Sequence, residues 1–498
     1  MKRIINKLGL VVLVVSLVFA WLSLSISQQV QASETSSQAQ SGNLLEDIKK
    51  RGVIRMGLSP DYPPYEFIVQ ENGKNTVKGI DVSVGQKIAD DLGVKLEIVE
   101  MEFSSLLSSL EAGNIDMIIS GMSVTPERQK SVDFSKVYEV SPQVFVIRKS
   151  DQDKFPNGDA FASGDLVIGV QQGTMQEQLV KDQMPQAEVF VMSQVPDLIN
   201  ALSTGQIDGV LMDETVGGAH AAEQDNLATV LTDIDVDENN GKAVVAPKGE
   251  SELVAAINQS IDEIHENNLI DVYMEDAFAA IADSQQTSWL DYWPYFWSGL
   301  KTTLFVSLIG ILVGTVLGSL VAILRLAQIP VASQLATFMV EFIRGTPLMI
   351  QVLFMFLGVG GFFGISALTA GLIAISINSG AYVSEIIRGG LQAVDKGQTE
   401  AARSLGLNQK TTMQKIIFPQ ALRSIWPSLG NEFITLIKES SIISTIGVAE
   451  LTFQTRAVTS ISYRGIIPLL ISMVLYFILT FLLGKLLNHY ERRMNAKY

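Results

Sequence analysis

The hydrophobic pattern divides the 498 residues into two unlike parts. Between residues 44 and 282, short β-branched runs alternate with helical stretches, for example at 53–57, 95–99, 117–119, 166–170 and 209–212. Strands spaced by helices predict βα units and a mostly parallel sheet. Beyond residue 298 the apolar runs lengthen, to about 299–324, 333–359, 365–390, 419–441 and 466–488, and each is long enough to cross a bilayer. The pattern therefore predicts an α/β domain followed by an all-α polytopic membrane domain.

The charge of these two parts differs in sign. Residues 44–289 hold 17 Lys and Arg against 42 Asp and Glu, whereas residues 290–498 hold 16 against 9. An acidic domain joined to an apolar one argues against nucleic acid as a partner, because phosphate binding needs clustered positive charge. The chain has no cysteine, and its three histidines show no metal-ligand spacing. We therefore expect neither a metal site nor thiol chemistry.

The amino terminus has the pattern of an export signal. Lys2, Arg3 and Lys7 precede an apolar run over about 8–26, and small residues near Ala32 offer a cleavage site. This predicts a signal peptide over 1–32, with an uncleaved signal anchor as the alternative. Residues 33–43 are polar and of low complexity, which indicates a flexible leader. Either way, the acidic domain is expected outside the cell.

One loop of the acidic domain has the chemistry of an anion site. After the apolar run at 117–119, Ser123 is followed by Thr125 and Pro126, which suit an N-cap and the first position of a helix. Amides at such a helix start could hold a carboxylate, and Arg128 could bind the same group bidentately. Alternatively, Arg128 pairs with a nearby carboxylate such as Asp133. From this loop alone both interpretations stay open.

Further motifs carry a resemblance to a known family. They are Gly121-Met122-Ser123-x-Thr125-Pro126-Glu127-Arg128, Val132-Asp133-Phe134-Ser135, Gly79-Ile80-Asp81-Val82 and Gly169-Val170-Gln171-Gln172-Gly173-Thr174. Together they resemble family 3 extracellular solute-binding proteins, which bind polar amino acids between two lobes. The resemblance implies a two-lobed periplasmic-binding-protein-like (type II) fold over 44–283. Lobe one is expected at about 44–142 plus 243–283 and lobe two at about 143–242, with the crossings near 141–148 and 242–247.

The same resemblance implies roles for particular residues. Arg128, Ser123 and Thr174 would hold the α-carboxylate, Asp213 the α-ammonium together with the Gly121 carbonyl, and Tyr62 and Phe103 would sandwich the ligand. Ser59 and Gln171, with Glu66 as a further candidate, would select the side chain. Both Ser59 and Gln171 are neutral, so a basic side chain would be buried without a counter-charge, which is costly. Glutamine is the expected substrate, followed by glutamate and asparagine.

A second resemblance lies between two of the long apolar runs. Glu400, Ala401, Ala402 and Gly406, followed by Ile416 and Pro419, resemble the EAA loop of type I permeases of ATP-binding-cassette (ABC) importers, and neighbouring motifs resemble the permeases for polar amino acids. The implied domains are a linker at 284–298, a permease with five transmembrane helices over 299–488, the EAA loop at about 399–419 and a tail at 489–498. In that family the loop binds an ATPase subunit.

The resemblances imply an importer subunit in the cell membrane of a bacterium without an outer membrane. The chain contains no G-x-x-x-x-G-K-[ST] pattern, so we expect ATP and Mg²⁺ on a separate ATPase chain and no cofactor or enzymatic activity on this one. Five crossings would leave the EAA loop and the carboxyl terminus in the cytoplasm, in agreement with the positive-inside rule. A homodimer of permease domains in the lipid bilayer is the simplest assembly. The alternative is a ligand-gated channel of the ionotropic glutamate receptor type.

Overall fold

The computed structural model describes residues 44–71, 74–161, 165–234, 239–284, 289–290, 292–326, 329–363 and 365–495. The predicted signal peptide over 1–32 and leader over 33–43 lie outside the described residues, as does part of the predicted linker. The described chain forms a two-lobed α/β domain followed by a helical domain, which confirms the predicted fold class.

Lobe one is built on a five-stranded sheet in the order β5-β1-β6-β13-β7. Strands β1 (Val53–Leu58), β5 (Lys95–Glu100) and β6 (Met117–Ile118) are parallel, whereas β7 (Val132–Glu139) and β13 (Lys242–Pro247) pair antiparallel. A small antiparallel sheet joins β2 (Asp61–Tyr62), β3 (Glu66–Glu71) and β4 (Lys74–Lys78). The helices of this lobe are α1 (Leu44–Arg51), α2 (Ile80–Leu92), α3 (Leu106–Glu111), α7 (Ser251–Glu266) and α8 (Leu269–Ser284).

Lobe two has the strand order β10-β9-β11-β8-β12. Its strands are β8 (Gln143–Arg148), β9 (Val167–Gln171), β10 (Glu188–Met192), β11 (Gly209–Asp213) and β12 (Leu227–Leu231), and its helices are α4 (Met175–Gln183), α5 (Val195–Ser203) and α6 (Glu214–Glu223). The chain crosses between the sheets at 140–142 and again between β12 and β13. Each sheet thus contains one strand, β13 or β8, that follows the crossing from the other lobe. This strand runs antiparallel to both of its neighbours. A mostly parallel sheet was expected, but these crossing strands make both sheets mixed.

The amphipathic pattern of the helices explains how they cover the sheets. In α7 the buried positions Leu253, Ile257, Ile261 and Ile264 recur at intervals of three and four residues. This spacing places them on one face, which packs on lobe one, while the acidic residues face solvent. Burial of such faces on both lobes leaves the polar strand ends free to build a site between them.

The helical domain starts with α9 (Trp293–Leu326), which is 34 residues long. The linker was expected to extend to 298, but the run from Trp293 has no helix breaker beyond Pro294, which is tolerated in the first turn, so the helix begins earlier. Buried Gly310, Gly314 and Gly318 lie along one side of α9. A Cβ at Gly318 would come within 2.6 Å of the Gly380 carbonyl oxygen, so these glycines allow close contact with the helix over Ala367–Gln392.

The remaining helices cover the other expected segments. They are α10 (Pro330–Gly345), α11 (Leu348–Leu353), α12 (Gly361–Phe363), α13 (Ala367–Gln392), α14 (Lys396–Ser404), α15 (Gln409–Thr412), α16 (Phe418–Glu439), α17 (Leu451–Ser462) and α18 (Ile466–Asn495), with π-helical turns at Phe354–Gly360 and Met413–Ile417. In the described part of the chain, α9, α13 and α18 are long and apolar enough to cross a membrane. The segment around Pro347 counts as a fourth only as a pair of helices bent by 106°, a break that the proline predicts.

The fifth expected segment, 419–441, corresponds to α16. This helix carries Arg423, Glu432, Lys438 and Glu439, and it is not among the helices apolar enough to cross. The number of crossings and the orientation of the chain therefore stay predictions.

Candidate functional site

A cavity between the two lobes holds about 510 Å³ of empty space, part of it open to solvent. All nine predicted substrate residues line it: Ser59, Tyr62, Phe103, Gly121, Ser123, Arg128, Gln171, Thr174 and Asp213. Most follow the end of a strand or start a helix, because both sheets direct such ends towards the cleft between the lobes. The structure thus brings the predicted residues together, and their individual roles stay predictions.

Arg128 is a buried cation at one end of this cavity. Its guanidinium donates to the Ser123 carbonyl at 2.7 Å and to the Gly173 carbonyl at 2.8 Å, and it lies 5.7 Å from the centre of the Phe103 ring. Burial lowers the pKa of Arg128 to about 10. Asp133, the alternative partner, instead pairs with Lys248 at 2.7 Å. Among the described residues, the salt bridges within 4 Å do not include Arg128, so its charge faces the cavity without a carboxylate.

The helix expected to begin at Thr125 is shorter than predicted. The structure has only a 3₁₀ turn over Arg128–Lys130. The Thr125 hydroxyl does accept from the Arg128 amide, at 3.3 Å, as an N-cap would. One turn has too few aligned peptides to act as a helix dipole. An anion at this position would therefore meet the guanidinium of Arg128 rather than the start of a helix.

Asp213 is a buried acidic residue that lines the cavity from lobe two. It is 3 % exposed and accepts from the Tyr62 hydroxyl and from the Gln143 amide, both at 2.7 Å. The ammonium of Lys242, which is also buried, lies 3.5 Å away. A buried carboxylate beside a cavity, with partners that leave room for one more donor, is suited to an ammonium.

Asp61 is a cavity residue to which the sequence reasoning assigned no role. Its carboxylate accepts from the Ser59 hydroxyl at 2.6 Å, and from the Gln171 amide and the Val195 backbone amide at 3.2 Å each. Burial raises the pKa of Asp61 to about 6. The two neutral residues predicted to select the side chain therefore share a carboxylate. Its position just after β1, among other polar residues, is the sequence feature that could have indicated a place in the site.

Glu66, the further selectivity candidate, lies deeper in lobe one. It is 1 % exposed and accepts from the Ser120 hydroxyl at 2.7 Å. Burial, and then the charge of Asp81, raise its pKa well above the ordinary value. Glu66 lines the cavity, but as part of a buried acidic pair that favours its protonated form.

The lobes are closed on one another. Tyr62 of lobe one bonds Asp213 of lobe two, Arg128 bonds the Gly173 carbonyl, and Asp61 accepts from Gln171. Each of these hydrogen bonds joins a residue of lobe one to a residue of lobe two. They cross the same cavity that would hold a ligand, so ligand binding and lobe closure use one set of side chains.

The EAA segment, residues 399–419, forms two short helices and a π-helical turn before α16. Ala402 is 2 % exposed, whereas Glu400, Ala401 and Gly406 are exposed and Leu405 is 80 % exposed. Gly406 has φ +78°, a conformation that glycine adopts without strain and that ends α14 sharply. The segment thus presents polar and apolar side chains to its surroundings.

Two family models match the chain. Residues 54–279 match the bacterial extracellular solute-binding proteins, family 3, and residues 310–496 match the binding-protein-dependent transport system inner membrane component. The glutamine transport system permease protein GlnP of Escherichia coli is 38 % identical over 215 residues, which are 42 % of this chain and 98 % of that protein. The putative GlnP of Rickettsia conorii is 41 % identical over 198 residues, 39 % of this chain and 91 % of its own length.

Two solved structures of similar sequence each cover less than half of this chain. A substrate-binding protein of an amino acid ABC transporter is 36 % identical, at a TM-score of 0.42, over 46 % of this chain and all of its own. A structure described as an amino acid ABC transporter with histidines is 44 % identical, at a TM-score of 0.40, over 41 % of this chain and 96 % of that one.

The fold and the cavity define a solute-binding domain joined to a membrane permease domain. The two family matches, and the sequence identity over more than nine tenths of the length of each GlnP permease, make the assignment specific. The chain belongs to the binding-protein-dependent permeases of amino acid ABC importers, here fused to a family 3 solute-binding domain. It is a transport component, and the permease match over 310–496 excludes the ligand-gated channel.

Proposed function

We propose that this chain is the receptor and permease subunit of an importer that takes up glutamine. The observation that carries the proposal is Arg128, a buried guanidinium without a carboxylate partner among the described residues, in the same cavity as the buried carboxylate of Asp213. A free α-amino acid offers the carboxylate that Arg128 lacks and a second cation for Asp213, beside the ammonium of Lys242 at 3.5 Å. Its α-carboxylate would bind Arg128 and its α-ammonium would bind Asp213, while Tyr62 and Phe103 cover its apolar atoms.

The choice of glutamine rests on the opposite end of the cavity. Ser59 and Gln171 offer neutral hydrogen-bonding groups. The Gln171 amide already donates to Asp61 and to the Ser193 carbonyl, so an amide side chain of the ligand can donate to Asp61 and to the amide oxygen of Gln171. The permease relatives are named as glutamine transport proteins, which favours the same cargo. Glutamate and asparagine are the next candidates.

Asp61 favours a second class of substrate, the basic amino acids. Its carboxylate could serve as the counter-charge that Ser59 and Gln171 do not provide. Three donors from the protein already occupy it, and each of them reduces what a cationic side chain would gain. We therefore place basic amino acids after the neutral amides.

The uptake would be powered by a separate ATPase chain that binds the EAA segment. The exposed Leu405 and Glu400 fit a surface that another chain covers. The permease domain would form a homodimer in the cell membrane, with the binding domains outside and the EAA segment inside. Closure of the lobes would capture the amino acid, and ATP hydrolysis on the partner would drive its release through the permease.

Calorimetric titration of the full chain in lipid nanodiscs with each of the twenty amino acids tests the proposal. Glutamine is expected to bind most tightly, with glutamate and asparagine weaker. A strong preference for arginine or lysine would contradict the selectivity assigned to Ser59 and Gln171 and would give that role to Asp61. Binding of none of the twenty would contradict the receptor function.

A further inference from the structure

Helix α17 of the permease domain contacts both lobes of the binding domain. It packs against β2 and β3 of lobe one and against α5 of lobe two. Just beyond its end, the Tyr463 ring packs edge-on to the His220 ring of lobe two, with centroids 4.9 Å apart. A Cβ built on Gly465 would overlap the side-chain amide of Asn200, also in lobe two. This helix and the residues just after it therefore form the surface against which both closed lobes pack.

Arg456 is the charged residue of α17 at this interface. Its guanidinium forms a salt bridge with Glu102 of lobe one at 3.1 Å. Asp197 lies in the first turn of α5 in lobe two. Burial raises the pKa of Asp197, and the positive charge of Arg456 opposes that rise. One guanidinium thus forms a salt bridge with lobe one and lies close enough to Asp197 of lobe two to act on its carboxyl group.

A second cavity, of about 330 Å³, lies beside this guanidinium. It is lined by Ser59, Asp61 and Glu102 of lobe one, by Gln194 of lobe two and by Arg456 and Phe453 of α17. Ser59 and Asp61 line the ligand cavity as well. The loop that holds these two residues thus borders both cavities, and it accepts hydrogen bonds from Gln171 and from the Val195 amide of lobe two.

We propose that Arg456 is a positioning residue through which the permease distinguishes closed from open lobes. Glu102 holds the guanidinium on lobe one, and closure brings the acidic start of α5 to its other side. An open lobe two would take Asp197 away from Arg456, while the salt bridge to Glu102 stays on lobe one, and would remove the contacts of Asn200 and His220. The inference deepens the proposed function, because it rests on closure of the lobes around an amino acid.

The test uses a disulfide as a reporter of docking by lobe two. The chain has no cysteine, so Asn200→Cys with Gly465→Cys introduces a single pair, at positions whose side chains meet in the docked state. The full chain in nanodiscs is oxidised briefly with and without saturating glutamine, and the initial rate of cross-linking is measured. Glutamine is expected to raise this rate at least about fivefold, the lower range of coupling between two sites.

The decisive variant is Arg456→Gln in the same cysteine pair. It is expected to reduce the stimulation by glutamine to less than about twofold, while glutamine still binds within about threefold of the parent affinity. Arg456→Lys keeps the charge and is expected to restore at least about half of the stimulation. Arg464→Gln, at an exposed arginine just beyond α17, is the matched control and is expected to leave it unchanged.

Two outcomes would overturn the inference. If Arg456→Gln lowered the cross-linking rate equally with and without glutamine, Arg456 would be only a structural contact. If glutamine still stimulated cross-linking fully in Arg456→Gln, Arg456 would have no part in that stimulation. Failure of the proposed function is distinct, because then calorimetry would detect no amino acid binding even in the parent chain.

Discussion

The cleft and the EAA segment carry comparably clear sequence motifs, but the structure treats them in opposite ways. In the cleft, Arg128 and Asp213 are buried and their hydrogen bonds go to residues of the same chain. In the EAA segment, Glu400 and Leu405 are exposed. A site for a small ligand is enclosed by residues of its own chain, whereas a site for another protein becomes buried only in the complex. The difference agrees with the two proposed roles, binding of an amino acid in the cleft and binding of another chain by the EAA segment.

The largest effect is expected at the cleft. Arg128→Ala removes the only charge we assign to the α-carboxylate and should weaken amino acid binding by at least about 100-fold, since truncating one partner of a buried charge pair costs about 3–5 kcal/mol. Calorimetry on the full chain measures the loss. Lys130→Ala, at an exposed position of the same turn, should change the affinity little. Comparable binding by Arg128→Ala would show that the ligand carboxylate lies elsewhere.

The EAA segment should show the reverse pattern. Glu400→Lys reverses an exposed charge and should leave amino acid affinity unchanged, while substrate-stimulated ATP hydrolysis in vesicles with the partner ATPase falls at least about tenfold. Gly406→Asp should have a similar effect, because a side chain is strained at φ +78°. Lys396→Gln, at the start of α14, is the control. If Glu400→Lys kept the full substrate stimulation of ATP hydrolysis, this segment would have no part in coupling. If Glu400→Lys lost amino acid binding, the contrast with the cleft would be wrong.

The smallest effect concerns Asp61. Its folded pKa of about 6 lies above the ordinary value of 3.8, so the folded state binds more protons between pH 4 and 6 and stability falls as pH rises through this window. Asp61→Asn removes that contribution. The difference in unfolding free energy between the two proteins should change by on the order of 1 kcal/mol per pH unit there and level off above pH 7. Thermal melting from pH 4 to 8 tests this, and parallel curves would contradict it.

Much of the architecture was predictable because local patterns agree with the fold. Each of the five short runs of β-branched residues singled out in the acidic domain forms a strand, and the break at Pro347 follows from the missing amide hydrogen. The cleft residues were found through their motifs, since burial of Tyr62 or Phe103 alone would not distinguish a ligand site from a core.

The rest depended on tertiary contacts. The turn after Thr125 stops at Lys130, and Asp61 gains its place in the site only through Gln171 and Val195, which lie more than a hundred residues further along the chain. The role of α17 was equally hidden. Nine of its twelve residues are buried, partly against a domain whose last helix ends at Ser284, far earlier in the chain.

The short connection between α8 and α9 has a kinetic consequence. Helix α8 ends at Ser284 and α9 begins at Trp293, so only residues 285–292 join the domains. Fully extended, this stretch spans about 28 Å. A binding domain that leaves α17 therefore stays at a local concentration in the millimolar range, and its return does not depend on how many copies the cell makes. Re-docking is thus a first-order step, and the rate of a transport cycle should be set by capture of the amino acid or by the partner ATPase rather than by a search for the permease.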